Sequence, residues 1–409
     1  MHFDLHLSAG LRERLDSLAG KMRDWEVAPR LTEDEVDRLR AAVQSFPHTL
    51  RRPADLTVGG VDGSGDFPSL TYGDSFVYFT VAQATAYRAD PTCGLREVTP
   101  AVPTVFEFSW VPEAEEARAA ALDDAFEKLA GAPLDEVIEG SDYRTLKSAE
   151  TRRASTVTAL RAGLIRPHAA DAGNLGIQLR TTGEMGAALR LLRSEAHRPL
   201  RYLLIDTTFS LPLLNTPVAS LFYEHLKRLC CVEARRQGTG FFALSKSHGL
   251  PSIETVEQAA REAQGLPTGE NAEHWFVRLP EKRTDGWALS LTEGRRLPPP
   301  GAVSYLVRFH QTTPTLRLDM DREFWREHVR RDTEDETRER ERAVFADLDY
   351  ACHDQRCYGY PYPLKAGHDR ASLTKAERAT LRRQVIDAAV RAGMKRSLFR
   401  EPAAATGHE

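Results

Sequence analysis

The chain has no apolar run approaching the roughly 20 residues that a membrane span requires, and its 409 residues include only five cysteines. An odd, sparse cysteine count in a long chain predicts a reducing cytoplasm, not a disulfide framework. The opening residues, MHFDLHLSAGLRERLD, carry acids early and lack an apolar h-region, so no secretory signal is expected. No GxxxxGK(S/T) is present, which excludes ATP hydrolysis through a P-loop, and Gly-x-Ser-x-Gly is absent as a nucleophile elbow. No internal repeat of fixed period is visible. A zinc site needs four ligands; Cys352 and Cys357 have a loose C-x4-C spacing with no second pair nearby, and Cys230 and Cys231 adjoin on one predicted helix. The formal net charge of −4 excludes a bulk polycation. It does not exclude nucleic acid, because carboxylates that hold metal lower the net charge while a basic groove coexists with acidic faces.

What is present is an ordinary globular composition, 41% hydrophobic and 28% charged. Residues 1–50 read as a helical segment, with a capping box of Thr32 and Glu35 ahead of an apolar stripe at Val36, Leu39 and Val43. Residues 55–110 read as strands: LTVGGV, SFVYFTVAQATAY and VPTVFEFSWV. A helical insertion is expected over about 112–170, from EAEEARAAALDDAFEKLA through LKSAETRRASTVTALRAGL, with a further helix in LRTTGEMGAALRLLRSEA. RYLLID is a buried strand ending in Asp206, and VASLFYEHLKRLCCVEARRQG is a helix ending at Gly238. GTGFFALSKSHGL is a strand with a polar end at Ser245-Lys246-Ser247, and residues 274–279 and 303–310 add two more strands. The mixed charges of 330–343 predict a solvated helical face. One or two helices close the chain, with a second capping box at Thr374 and Glu377, and 396–409 is expected to be a disordered tail. The order is α/β with an antiparallel start, which places chemistry at the carboxyl ends of central strands.

Two of those ends carry acids. Asp62 follows LTVGGV inside GVDGSG, and Asp206 follows RYLLI. Asp-Gly is also a hairpin signal, but about a dozen residues part the flanking apolar runs, more than a tight hairpin uses. Glu184 stands in a predicted helix among small apolar residues. Each acid alone reads as a turn, cap or surface residue; together they form the kit for Mg²⁺ or Mn²⁺, hard cations that take oxygen ligands from separate parts of a chain. Two such ions cleave phosphodiesters by activating water and stabilising the leaving oxygen. The glycines of GVDGSG then read as clearance for metal and phosphate. Lys246 reads either as an exposed lysine or as a contact that steadies water or phosphate. His368, in GYPYPLKAGHD, is a candidate metal ligand or proton carrier. Tyr360 is a candidate for stacking on a base or ribose, Arg308 and Arg317 for phosphate contact, and Ser64 for capping the turn or touching DNA.

These motifs resemble those of the NurA nucleases over roughly residues 55 to 375. GVDGS resembles that family's first motif, and Ser245-Lys246 its Ser-Lys strand end. A helical glutamate, Glu184, precedes a strand ending in Asp206, where Thr207-Thr208-Phe209 replaces the usual Gly-Ser-Leu. Gly359-Tyr360-Pro361 through His368 resembles the final motif, with Gly367 in place of alanine. The resemblance implies a ribonuclease-H-like mixed sheet flanked by helices, spanning a domain over 51–395. It implies Mn²⁺ (or Mg²⁺) held by Asp62, Glu184, Asp206 and His368, with Lys246 completing the catalytic set. It also implies 5′→3′ exonuclease activity on single- and double-stranded DNA and single-strand endonuclease activity, in end resection and recombinational repair. The expected assembly is a nucleoid-associated homodimer that contacts no membrane and partners a hexameric HerA-type ATPase. The alternative is a non-catalytic DNA-end adaptor of that ATPase, motivated by the altered Asp206 loop.

Overall fold

The computed structural model describes residues 8–25, 32–48, 50, 55–65, 68–143, 172–209, 221–246, 253–280, 298–299 and 301–401. Its centre is built from short apolar runs that alternate their side chains between two buried faces. Strands β1 (Thr57–Ser64), β2 (Ser75–Asp90) and β3 (Val105–Val111) form an antiparallel unit with β2 in the middle. β4 (Tyr202–Ile205) then lies parallel to β1, and β5 (Gly240–Ser245) parallel to β4. The resulting order β3-β2-β1-β4-β5, with the last three strands parallel, is the ribonuclease-H-like arrangement. β6 (Trp275–Arg278), β7 (Ala302–Arg308) and β8 (Leu316–Asp321) extend it antiparallel beyond β5, within a sheet of 12 strands among the described residues.

Both faces are covered. Val61, Leu203, Ile205 and Phe241 point into a cluster with helices α1 (Glu115–Ala130), α2 (Ala172–Arg193) and α3 (Leu221–Arg235). Val58, Tyr202, Leu204 and Phe242, one residue out of step, point the other way toward α4 (Glu334–Cys352) and α5 (Tyr362–Ala371). α6 (Lys375–Arg391) follows, opened by the Thr374–Glu377 capping box. The Thr32–Glu35 box opens helix Glu33–Ala42 as the sequence predicts.

The structure departs from the sequence reading in several places. Strand β8 does not read as one because buried acids Asp319 and Asp321 interrupt its apolar pattern; Arg317 satisfies the first, and Arg228 and Arg235 the second. The charged 330–343 stretch is helical from Glu334 on, yet Glu341 is buried, accepting hydrogen bonds from Tyr305 and Arg278 at 2.7 and 3.0 Å. The tail expected to be disordered from 396 instead pairs Phe399–Arg400 with Leu70–Tyr72, because Phe399 buries its ring beside Leu70 and Phe79. The predicted helix in LKSAETRRASTVTALRAGL and Ser247 lie outside the described residues. Among the described residues no helix is long and apolar enough to cross a membrane.

Candidate active site

The carboxyl ends of β1 and β4 adjoin. Val61 pairs with Ile205, and the next backbone contact runs from Asp206 N to the Val61 carbonyl at 3.4 Å. Asp62, still paired with Gln83 inside β1, and Asp206, just past β4, therefore stand at the same level on neighbouring parallel strands. The register dictates this, since each aspartate is the residue after a paired apolar position. Asp62 is buried, and its Oδ1 accepts a hydrogen bond from Gly63 N at 2.7 Å. Burial pushes its carboxyl above the ordinary range; the Gly63 N–H opposes that, Asp206 adds to it, and His368 opposes it.

His368 reaches Asp62 from α5, with Nδ1 2.7 Å from Oδ2. The helix can come this close because Gly60 has no side chain: a Cβ there would lie 2.3 Å from the Pro363 carbonyl carbon and 2.4 Å from Leu364 N. Thr85 Oγ1 donates to the Pro363 carbonyl at 2.8 Å, and Ser64 Oγ donates to the Ala371 carbonyl at 2.7 Å. Ser64 thus ties the end of β1 to the end of α5.

Glu184 arrives from the opposite face. α2 packs tightly enough that a Cβ at Gly186 would stand 1.9 Å from the Leu129 carbonyl oxygen. The Glu184 side chain then lies over Gly63, where a Cβ would sit 2.8 Å from its Cγ and 3.0 Å from Oε1. Gly60 and Gly63 therefore give room to protein, a helix backbone and a carboxylate, and not to metal and phosphate as the sequence suggests.

Lys246, just past β5, places Nζ 3.6 Å from Asp206 Oδ2 and 3.9 Å from the centre of the Tyr360 ring. Tyr360 is 6% exposed and its hydroxyl has no hydrogen-bond partner among the described residues. Burial, and then the neighbouring Asp206 and Asp62, hold that hydroxyl well above its ordinary value. The ring face that would stack on a base is covered by the Lys246 ammonium, so the expected stacking role is corrected to a buried floor for Lys246. The phosphate role expected of Arg308 and Arg317 is corrected as well. Both are buried; Arg317 grips Asp319 at 2.7 Å, and Arg308 lies 3.5 Å from Glu257 and donates to the Gln311 carbonyl at 3.1 Å.

The loop after Asp206 differs from the resembled motif but is firmly held. Phe209 is buried, its N–H donating to Asp319 Oδ2 at 2.9 Å and its carbonyl accepting from Lys227 Nζ at 2.7 Å. Burying a phenylalanine contributes about 1.5–3 kcal/mol, so the ring anchors a loop that Gly-Ser-Leu would have to hold differently.

Oxygen donors with one imidazole suit Mn²⁺ or Mg²⁺. Their chemistry fits the ion, but they do not form a closed cage. Among the described residues the group whose ligand atoms close within 4.8 Å of one another is a different one. The carboxylates instead lean on cationic or hydrogen-bonding neighbours: Asp62 on His368, Asp206 toward Lys246, and Glu184 toward Arg180, whose Nε is 3.4 Å from Oε1. Arg180 was missed in the sequence, although its i,i+4 spacing from Glu184 on α2 signals the pair.

No family model matches the chain, and no curated protein matches it in sequence. The chain is similar in structure to NurA nucleases. The crystal structure of the NurA nuclease from Sulfolobus solfataricus aligns over 97% of this chain and 99% of its own, at 10% identity and a TM-score of 0.46. NurA bound to dAMP and manganese aligns over the same shares at 12% identity and a TM-score of 0.34. Human ENDOV aligns over 86% of this chain and 98% of its own, at 13% identity and a TM-score of 0.28.

Proposed function

We propose that the protein is a divalent-metal-dependent DNA nuclease whose site is Asp62, Glu184, Asp206, Lys246 and His368. The observation that carries this reading is the arrival of two strand-end aspartates, a glutamate from one face and a histidine from the other at one sheet edge. Bound Mn²⁺ or Mg²⁺ would supply a nucleophilic water and charge neutralisation at the phosphodiester. Asp62, Glu184 and Asp206 would hold it. His368 orients Asp62 through Nδ1 and presents Nε2 toward solvent, 3.5 Å from Ser372 Oγ, where it can take or give a proton. Lys246 is half exposed beside Asp206 and offers a point charge to an incoming phosphate.

The motif resemblance extends the proposal to 5′→3′ exonuclease action on single- and double-stranded DNA, single-strand endonuclease action, and end resection. It also extends it to a homodimer working with a HerA-type ATPase, a motor consistent with the missing P-loop. The test uses 5′- and 3′-labelled DNA and matched RNA with Mn²⁺, for wild type and Glu184→Gln. Nucleotides released from the 5′ end of DNA by wild type alone support the reading. Cleavage of RNA alone, or equal cleavage by the variant, contradicts it.

A further inference from the structure

Where β6 begins, three histidines surround a buried carboxylate. His48 follows the short strand Gln44–Ser45, His274 enters β6, and Asp349 and His353 stand i,i+4 at the end of α4. Asp349 is fully buried. Its Oδ2 lies 2.8 Å from His48 Nδ1, and its Oδ1 lies 3.1 Å from His353 Nδ1 and 3.5 Å from His274 Nε2. One ligand atom from each of the four lies within 4.8 Å of all the others, and among the described residues no other group closes this way.

Two further observations point to metal ligation. His274 Nε2 and Asp349 Oδ1 are buried and make no hydrogen bond; leaving such a pair unsatisfied costs about 1–3 kcal/mol per group. His274 also holds a φ of 55°, a left-handed conformation uncommon outside glycine and costing about 1–3 kcal/mol. A ligating role accounts for both. His353 Nδ1 also lies 3.0 Å from the Asp349 backbone carbonyl, so hydrogen bonding alone leaves His274 Nε2 and Asp349 Oδ1 unsatisfied.

We propose that His48, His274, Asp349 and His353 form a structural zinc site. Three imidazole nitrogens and one carboxylate oxygen make a closed tetrahedral set, whose ligand–ligand edges are about 3.3 Å for bonds near 2 Å. Asp349 Oδ1 lies 3.1 and 3.5 Å from two of the ring nitrogens, close to that edge, and its other oxygen lies 2.8 Å from the third. The ion would fasten the short strand Gln44–Ser45, which pairs with β6, to the end of α4. From there a short hairpin, His353–Asp354 with Cys357–Tyr358, leads to Tyr360 and α5. The site is separate from the oxygen-rich set at Asp62 and does not depend on its activity.

The test is metal content by plasma mass spectrometry of the full chain, purified without chelator and again after chelation and zinc readdition. Thermal unfolding and the visible spectrum of the cobalt-substituted protein are recorded alongside. About one zinc per chain is expected in wild type and in Asp62→Ala, with a tetrahedral cobalt spectrum and a higher Tm with zinc than without. His48→Gln and His274→Gln should lose the zinc and the Tm gain. His48 sits in a partly exposed loop, so His48→Gln decides the matter even if His274→Gln does not fold. Zinc-free wild type whose Tm is unmoved by zinc, or undiminished zinc in His48→Gln, would show a hydrogen-bonded cluster only and overturn the proposal. Loss of zinc in Asp62→Ala would overturn it in favour of binding at the active site.

Discussion

Replacing Gly60 with alanine should damage the protein through one methyl group. The new Cβ would stand 2.3 Å from the Pro363 carbonyl carbon, 2.4 Å from Leu364 N and 2.6 Å from the Pro363 carbonyl oxygen. Ordinary carbon contacts begin near 3.5 Å, so α5 must retreat by about 1 Å. No rotamer can relieve the clash, because the atoms met are backbone. Overpacking of this kind costs about 1–3 kcal/mol, which in a domain this large is a Tm loss of roughly 1–4 °C. Function should suffer more, since a 1 Å retreat carries His368 away from Asp62 and a misplacement of that size costs about a hundredfold in rate. The control is Gly367→Ala, on the same helix and facing the same strand. Its Cβ would meet the Gln83 carbonyl at 3.2 Å and Asp62 N at 3.4 Å. A few tenths of an ångström suffice there, and alanine's helix preference offsets the strain, so stability should stay within about 1 kcal/mol of wild type. Calorimetry and Mn²⁺-dependent DNA cleavage read both variants. A Gly60→Ala protein with wild-type Tm and rate refutes the argument that this glycine sets the approach of α5.

Gly63→Ala should separate stability from activity: its Cβ meets the flexible Glu184 side chain at 2.8 Å and the Val81 carbonyl at 3.0 Å, so Tm falls by only a few degrees while cleavage falls far more, measured on the same preparation. Lys246→Met removes an exposed ion pair and should change stability by less than about 1 kcal/mol; DNA affinity, followed against salt, should weaken with a shallower slope. In chelator-treated protein, Asp62→Asn should stabilise at neutral pH. Asp62 has its folded pKa raised, so the native state holds the proton more tightly and stability falls as pH rises from the ordinary carboxylate value through the folded value. The gain in Tm should vanish as pH drops below that window, and a gain that grows with acidity would contradict the assignment.

Much of the site was legible because its parts sit where local pattern is strong. Asp62 and Asp206 follow clean apolar runs, and Glu184 interrupts a helix of small residues, so strand ends and helix face could be read one at a time. The parts that were not legible depend on long-range packing. Nothing local says that Gly60 faces α5 or that Tyr360 lies beneath Lys246, since both follow from a helix some 300 residues later in the chain laying itself on β1. Arg308 and Arg317 look like surface cations until β7 and β8 are seen to be buried inside the sheet. The histidine–aspartate cluster escaped for the same reason: only Asp349 and His353 are close in sequence, and His48 and His274 join them through the pairing of an edge strand.

The measurement that bears most directly on the central claim is degradation of labelled DNA as Mn²⁺ is titrated, with wild type and Asp62→Ala side by side after circular dichroism shows both folded. The account predicts cleavage by wild type that requires the metal and is lost on chelation, and none by Asp62→Ala. Metal-dependent cleavage at the same rate by both proteins, or none by either, would contradict it.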